Sequence, residues 1–331
     1  MTTPETIQRV AELGVPSDAE LSGEHDSERA RALLARILAD PVAEPEVRLR
    51  TRRRVRVVVA LPVAALAAVG VAIVIALGSS SGAGPASAAT SLREAAHAAA
   101  AQTPLVVRPG EYLYTKSVDA YTTTSEGATP GTSWTAVLPQ TRETWFGLRD
   151  GRLHTTYGTP FFLSDQDRAQ WVAAGKPEIT GSPKDIALGA LEPVALPDDP
   201  AALYAKLQAD TAGYGSRRNF EMFTLIGDSL RETNASPAQR AALYAVAAKL
   251  PGVDLVGPVR DSTGRSGIAV AMSDLENRVR QMLVFDPDTA DLLEEREVTL
   301  RGNSFGYPAD TQIGYATYLT RAVVGSRTAT P

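Results

Sequence analysis

The chain has 331 residues, 33 lysines and arginines against 38 acids, a net charge of −5 and no cysteine. Without thiols there is no disulfide framework, no cysteine-ligated zinc and no thiol catalysis, so its domains are held by burial and hydrogen bonding alone. The one dense basic run abuts an apolar segment, which argues against a nucleic-acid partner and for a lipid bilayer.

Residues 1–56 read as a short cytoplasmic arm. Thr3-Pro4 offers a helix start, with Ile7, Val10 and Ala11 at helical spacing up to Gly14. Asp26 caps a second helix whose Ala30, Leu33, Leu34, Ile37 and Leu38 form one apolar stripe ending before Pro41. Two helices this short bury such a stripe poorly against each other. Leu33, Leu34, Ile37 and Leu38 are therefore candidate contacts for a cytosolic protein, a second copy or the membrane surface.

Val57 to Leu77 is a run of 21 residues without a charge. At about 1.5 Å per residue, such a helix is roughly 30 Å long, the hydrocarbon thickness of a bilayer, so the segment is expected to be a transmembrane helix. Arg52, Arg53, Arg54 and Arg56 crowd its start, and the first basic residue beyond it is Arg93. This asymmetry predicts a single-pass protein of the cell membrane, with the N-terminus cytoplasmic and the C-terminal bulk extracytoplasmic. Ala86-Ser87-Ala88 has the small-residue look of a signal cleavage site, but the leader and the apolar run are both longer than a secretory signal uses. Retention as an anchor is the expectation. Ala60, Ala64, Ala68, Ala72 and Ala76 recur every fourth residue beside Gly70, a spacing through which two spans form a homodimer. Residues 78–90, rich in Gly, Ser, Ala and Pro, read as a flexible linker to an extracytoplasmic domain, 91–331.

In that domain, Ser91 with Glu94 predicts a helix from Leu92 to about Ala101. After Pro109-Gly110, the runs Glu111–Thr124 and Thr132–Leu138 are strand-like, and Arg142–Leu148 and Arg152–Tyr157 flank Asp150-Gly151 as a hairpin. Helices are predicted after Ser164, after Asp199-Pro200, over Phe220–Leu230, and from Ser236-Pro237 with Gln239 to Pro251-Gly252. Strand patterns return over Val253–Val259, Ser266–Met272, Arg278–Phe285 and Leu292–Leu300, while Ile313–Val324 reads as a closing strand or helix. Strands, then helices, then strands give an α+β fold with antiparallel pairing.

The motifs Arg52-Arg53-Arg54, Pro109-Gly110-Glu111-Tyr112-Leu113-Tyr114, Leu250-Pro251-Gly252-Val253, Val256-Gly257-Pro258-Val259 and Phe285-Asp286-Pro287 carry a resemblance. Over nearly its whole length the chain resembles a family of actinobacterial single-pass membrane proteins of unassigned activity. Its layout is similar to a membrane-anchored anti-sigma factor or co-regulator. Its outer elements are similar in order to the LolA/RseB-type half-barrel that cradles lipids or peptides. These resemblances imply a sigma factor as partner of residues 1–46 and an apolar or peptide ligand outside. The arm departs from the anti-sigma pattern in being shorter and in lacking the His-xxx-Cys-xx-Cys zinc motif, which a cysteine-free chain cannot have.

No catalytic, cofactor or metal set stands out. Gly302-Asn303-Ser304-Phe305-Gly306 matches the nucleophile-elbow string, but that motif needs a strand-turn-helix setting and a histidine base, and no histidine follows Ser304. His25, His97 and His154 fall in the arm, on a helix and on a strand. Asp286-Pro287-Asp288 fails the calcium-loop order and reads as a turn. Tyr112, Tyr114, Trp134, Trp145 and Tyr157 gather with Tyr121, Phe161 and Phe162 in a chain otherwise poor in aromatics. They read as the core face of the sheet or as the lining of an apolar groove. The functional expectation is a non-enzymatic membrane-anchored sensor or regulator. A lipid- or lipoprotein-binding module is the alternative and a hydrolase a remote third.

Overall fold

The structure, a computed structural model, describes residues 85–127, 132–192, 194–231 and 234–331. Leu33, Leu34, Ile37, Leu38, Arg52, Arg53, Arg54, Arg56 and the expected span 57–77 lie outside the described residues. Among the described residues no helix is long and apolar enough to cross a membrane.

The described part is α+β, as its pattern predicts. The strands are β1 (Tyr112–Glu126), β2 (Ser133–Gly147), β3 (Gly151–Tyr157), β4 (Lys184–Leu188), β5 (Val253–Arg260), β6 (Ser266–Asp274), β7 (Val279–Phe285), β8 (Leu292–Thr299) and β9 (Gln312–Val324). They form one antiparallel sheet in the order β4-β3-β2-β1-β9-β8-β7-β6-β5. Two meanders, β1–β4 and β5–β9, are thus fused where β9 pairs with β1. Ile313–Val324 is a strand, and a central one.

Aspartates end three strands of the second meander. Asp261 accepts from the amides of Thr263 and Arg265 (both 2.9 Å), Asp274 from those of Glu276 and Asn277 (3.0 and 3.1 Å), and Asp286 from those of Asp288 and Thr289 (2.8 and 3.0 Å). Each carboxylate satisfies turn amides that the ladder leaves over, which is why the connections are short. The Asp286-Pro287-Asp288 stretch is one of these turns.

In the first meander, the runs expected as two strands, Thr132–Leu138 and Arg142–Leu148, are one. Pro139 sits mid-strand opposite Ala120, and its carbonyl accepts from Gly158 just past the end of β3. Its missing N–H faces the side where β3 has stopped, so no ladder bond is lost. The hairpin at Asp150-Gly151 forms, with Gly147 N–H donating to Asp150 O at 2.8 Å. Its tip is Leu148-Arg149, and Gly151 begins β3, where a Cβ would stand 2.8 Å from the Trp145 carbonyl.

The helices are α1 (Pro85–Ala100), α2 (Asp165–Ala173), α3 (Pro200–Asp210), α4 (Arg218–Arg231) and α5 (Pro237–Ala247), with a short 3₁₀ turn, Ala212–Arg217, before α4. Three start where the sequence places them: Ser164, Asp199 and Ser236 are N-caps, the last in a capping box with Gln239. Helix α1 begins at Pro85, inside the stretch expected to be linker, and Ser91 is an interior residue rather than a cap. Alanine-rich sequence propagates a helix readily. Ala88, Leu92, Ala95 and Ala99 make a continuous buried stripe that packs on α5, and this burial draws the helix start back.

The main core lies between these helices and one face of β5–β9, around Leu203, Phe223, Leu243, Tyr244, Leu283 and Phe285. The opposite face is covered differently. The β5–β6 tip bends back so that Ser262 N–H donates to the buried Glu294 carboxylate at 2.7 Å, beside Thr317 and Arg296. At the other end, the Trp145 indole donates to Ala329 O at 2.7 Å, so the C-terminal residues cover Tyr114 and Trp145.

Candidate ligand-binding cleft

The five aromatic residues read as the core face of the sheet or as groove lining do not share one surface. Trp134 and Trp145 stand on one unbroken strand, and an odd separation along a strand puts side chains on opposite faces. Tyr114 pairs with Trp145, its ring centroid 5.2 Å away, and Tyr112 is on the same face. That face is the one away from the helices. The register puts Trp134 opposite Ser125 and Tyr157 opposite Gln140, on the helix-bearing face. Tyr114, Trp134 and Trp145 are buried, so a single groove built of all five is excluded; they are core residues of two layers. The Tyr114 phenol donates to Glu143 at 2.5 Å, and burial together with that bond raises its pKa, so it stays protonated.

The cleft lies elsewhere, where β8 parts from β9. The two strands are paired from Glu294↔Thr317 to Val298↔Gln312. Beyond Thr317, β9 continues to Val324 beside β1 alone, with a register shift after Lys116 that leaves Leu319 over. The other edge of this extension has no strand beside it among the described residues. A cavity of about 320 Å³ opens there, floored by β1 and β9 and walled by the end of α4, by α5 and by the β7–β8 turn. A smaller one of about 160 Å³ adjoins it and shares Arg240, Asp291 and Arg321.

Each polar side chain of the cleft is set by its element. Arg240, one turn into α5 and 5 % exposed, donates to Leu230 O (3.2 Å), Ala290 O (2.9 Å) and Asp291 Oδ1 (3.1 Å). It thereby ties the last turn of α4 to the β7–β8 turn. Tyr244, one helical turn on, donates to the same Ala290 carbonyl at 2.8 Å. Arg265 leaves the β5–β6 turn, pairs with Asp261 at 2.6 Å and donates to Tyr318 O at 2.8 Å. Arg231 pairs with Asp228 at 2.7 Å and Glu295 at 3.5 Å. Arg321 projects from β9 opposite Thr115. Burial, and then the charge of Arg240, push its guanidinium down to about 10 against a smaller opposing pull from Asp291, so it stays cationic at neutral pH. Leu230, Leu292, Leu293 and Leu319 supply apolar wall beside these cations. Arginine and leucine side chains thus share the lining of the cleft.

The remaining motifs lie apart from it. Ser304 is in the β8–β9 loop between Gly302 and Gly306, both at positive φ. His154 is on β3, with three strands between β3 and β8, and its ring lies 3.1 Å from Asp185 on the edge strand β4. His97 is in the last turn of α1. Among the described residues no three His, Cys, Asp or Glu side chains are grouped to hold a metal ion. Sequence reading missed the cleft because its arginines come from four elements, α4, α5, the β5–β6 turn and β9, and each is an ordinary arginine in its own element. Comparison with protein-family models, with curated proteins and with solved structures finds no match to this chain.

Proposed function

We propose that this chain is a membrane-anchored, non-enzymatic sensor or regulator. In this reading residues 57–77 span the cell membrane, the domain from residue 91 lies outside and receives a ligand, and the arm lies in the cytoplasm. Leu33, Leu34, Ile37 and Leu38 hold a cytosolic protein there, a sigma factor if the anti-sigma-like layout is followed through. The outer domain is read as a LolA/RseB-like half-barrel, on the ground of a single antiparallel sheet carrying its main helices on one face.

The observation that carries the proposal is the cleft of about 320 Å³ between helix layer and sheet, lined by arginines and leucines in a domain tethered behind 21 uncharged residues. Such a lining suits capture of a ligand. The leucines beside the arginines favour one second reading, a lipid- or lipoprotein-binding module whose arm only anchors. Deleting residues 1–46 separates the two: a regulator loses its cytosolic output and keeps its ligand, whereas a binding module loses nothing. Protease added to intact cells tests the topology they share, and an unshaved C-terminal domain would exclude both. Homodimerisation through the alanine ridge predicts a shift towards monomer in Ala68→Leu, read by cross-linking in membranes.

A further inference from the structure

Residues 102–105, which follow α1, lie beside Ala235 and Pro237 at the start of α5. Helix α1 packs along α5 and β5 through Ala88, Leu92, Ala95 and Ala99, so its own start points the other way, to the Pro251-Gly252 turn that joins α5 to β5. Val253, just after that turn, pairs with Met272 near the end of β6, so the β6–β7 turn lies at the same end of the sheet. Leu300 N–H donates to Arg278 O at 2.7 Å, which brings the β8–β9 loop alongside. These connections carry Leu275, which at 68 % is the most exposed large apolar side chain among the described residues, and Phe305, 38 % exposed and stacked on Tyr307. The α5–β5, β6–β7 and β8–β9 connections also carry Lys249, Arg278 and Arg301, all exposed and none paired with a carboxylate among the described residues, against exposed Glu276 and Asp310. The apolar tips therefore stand at the end of the domain from which the chain leaves α1 towards residue 84.

We infer that this end of the domain docks on the bilayer surface, with Leu275 and Phe305 inserted among the lipid headgroups and Lys249, Arg278 and Arg301 against their phosphates. The inference rests on residues 57–77 spanning the membrane. Seven residues, 78–84, then separate the span from α1, and fully extended they reach about 25 Å, so the end that holds Pro85 stays within that distance of the lipid. Apolar side chains held so close to a bilayer gain by leaving water for it, and cations beside the headgroups add attraction. The cleft, walled by the β7–β8 turn, lies towards the opposite end of the strands and faces away from the membrane. Its ligand then arrives from the aqueous side.

The chain has no cysteine, so one introduced thiol gives one reporter. Ser304→Cys, beside Phe305, and Asp288→Cys, in the β7–β8 turn at the opposite end, are each labelled with a nitrobenzoxadiazole dye. The full chain is assembled in nanodiscs of phosphatidylcholine and phosphatidylglycerol that carry headgroup spin-labelled lipid. Strong quenching at Ser304→Cys and little at Asp288→Cys is expected. In the Ser304→Cys background, Leu275→Ser with Phe305→Ser should shift the balance of quenched and unquenched dye by about 10–100-fold, the worth of one to two exposed apolar side chains leaving water, at an unchanged melting temperature. Should that variant not fold, Leu275→Ser alone should shift it by about 10-fold. Equal quenching at the two ends, none at Ser304→Cys, or quenching that these substitutions leave unchanged overturns the inference, because a tether alone holds that end near the lipid without contact. A disulfide between two unlabelled Ser304→Cys chains, with the dye unquenched, assigns the patch to a second copy and overturns it equally. Chain that does not co-elute with the discs sinks the span and the docking together, whereas chain that co-elutes unquenched sinks the docking alone.

Discussion

The carbonyl of Ala290 is fully buried and accepts two hydrogen bonds, from Tyr244 Oη at 2.8 Å and Arg240 Nη2 at 2.9 Å. Tyr244→Phe removes the first donor, while the Phe ring keeps its place against Phe285, 5.4 Å away between centroids. Arg240 still satisfies the carbonyl, so the expected loss is about 1 kcal/mol, the net worth of one ordinary hydrogen bond. Arg240→Met also leaves Ala290 O satisfied, now by Tyr244, but it strands Leu230 O. Relief from burying a guanidinium offsets part of that, and about 2 kcal/mol is expected. In the double variant Ala290 O has lost both donors, and a buried acceptor without a partner costs roughly 1–3 kcal/mol. The double loss should therefore exceed the sum of the single losses by about 1–2 kcal/mol. Urea denaturation of the full chain in detergent micelles, followed by tryptophan fluorescence with the slope held common, measures the cycle. Additivity within about 0.5 kcal/mol would refute the claim that these two side chains serve one carbonyl.

Acid should weaken the second meander. Burial pushes the Asp261 and Asp274 carboxyls up, but hydrogen bonds from Thr263 and Arg265 to the first, and from Asn277 with the charge of Arg217 to the second, outweigh it and hold both below the usual range. A folded pKa below the unfolded one means that their stabilisation is complete above about pH 4 and is lost as pH falls through the folded values. The urea midpoint should drop below pH 4, and less steeply in Asp274→Asn; parallel curves would count against the assignment. Gln239 supplies its amide to Val194 O and Leu196 O as well as closing the capping box, so Gln239→Ala should cost more than Ser236→Ala, about 2 against about 1 kcal/mol by thermal melting. Removing residues 325–331 uncovers the indole of Trp145; with Trp134 and Trp171 replaced by Phe, its emission should shift to the red, and an unshifted spectrum would show that the tail does not cover it. Arg278 holds φ +54° in an exposed turn, so Arg278→Gly should stabilise by about 0.5–1 kcal/mol, read as a raised urea midpoint.

The features legible in the sequence are those in which a side chain bonds its own neighbourhood. The caps at Ser164, Asp199 and Ser236 and the aspartate turn at Asp286 each close within four residues. No distant contact is needed to form them, and the helix and strand boundaries follow from them. Edge strand β4 escaped notice because Lys184, Asp185, Ile186 and Ala187 are all exposed and show no alternation to read. Pro139 hid the continuity of β2, and with it the odd spacing that sends Trp134 and Trp145 to opposite faces.

The sequence by itself determined the local punctuation of the domain and the α+β class, because backbone amides near a turn or cap take the nearest acceptor. Tertiary structure alone decided that α1 begins at Pro85, that β9 fuses two meanders, and that Arg240 and Arg321 meet beside a strand edge that β8 has left. Those outcomes depend on which apolar faces bury one another across more than a hundred residues, and no local pattern encodes a contact between segments that only the assembled sheet brings together.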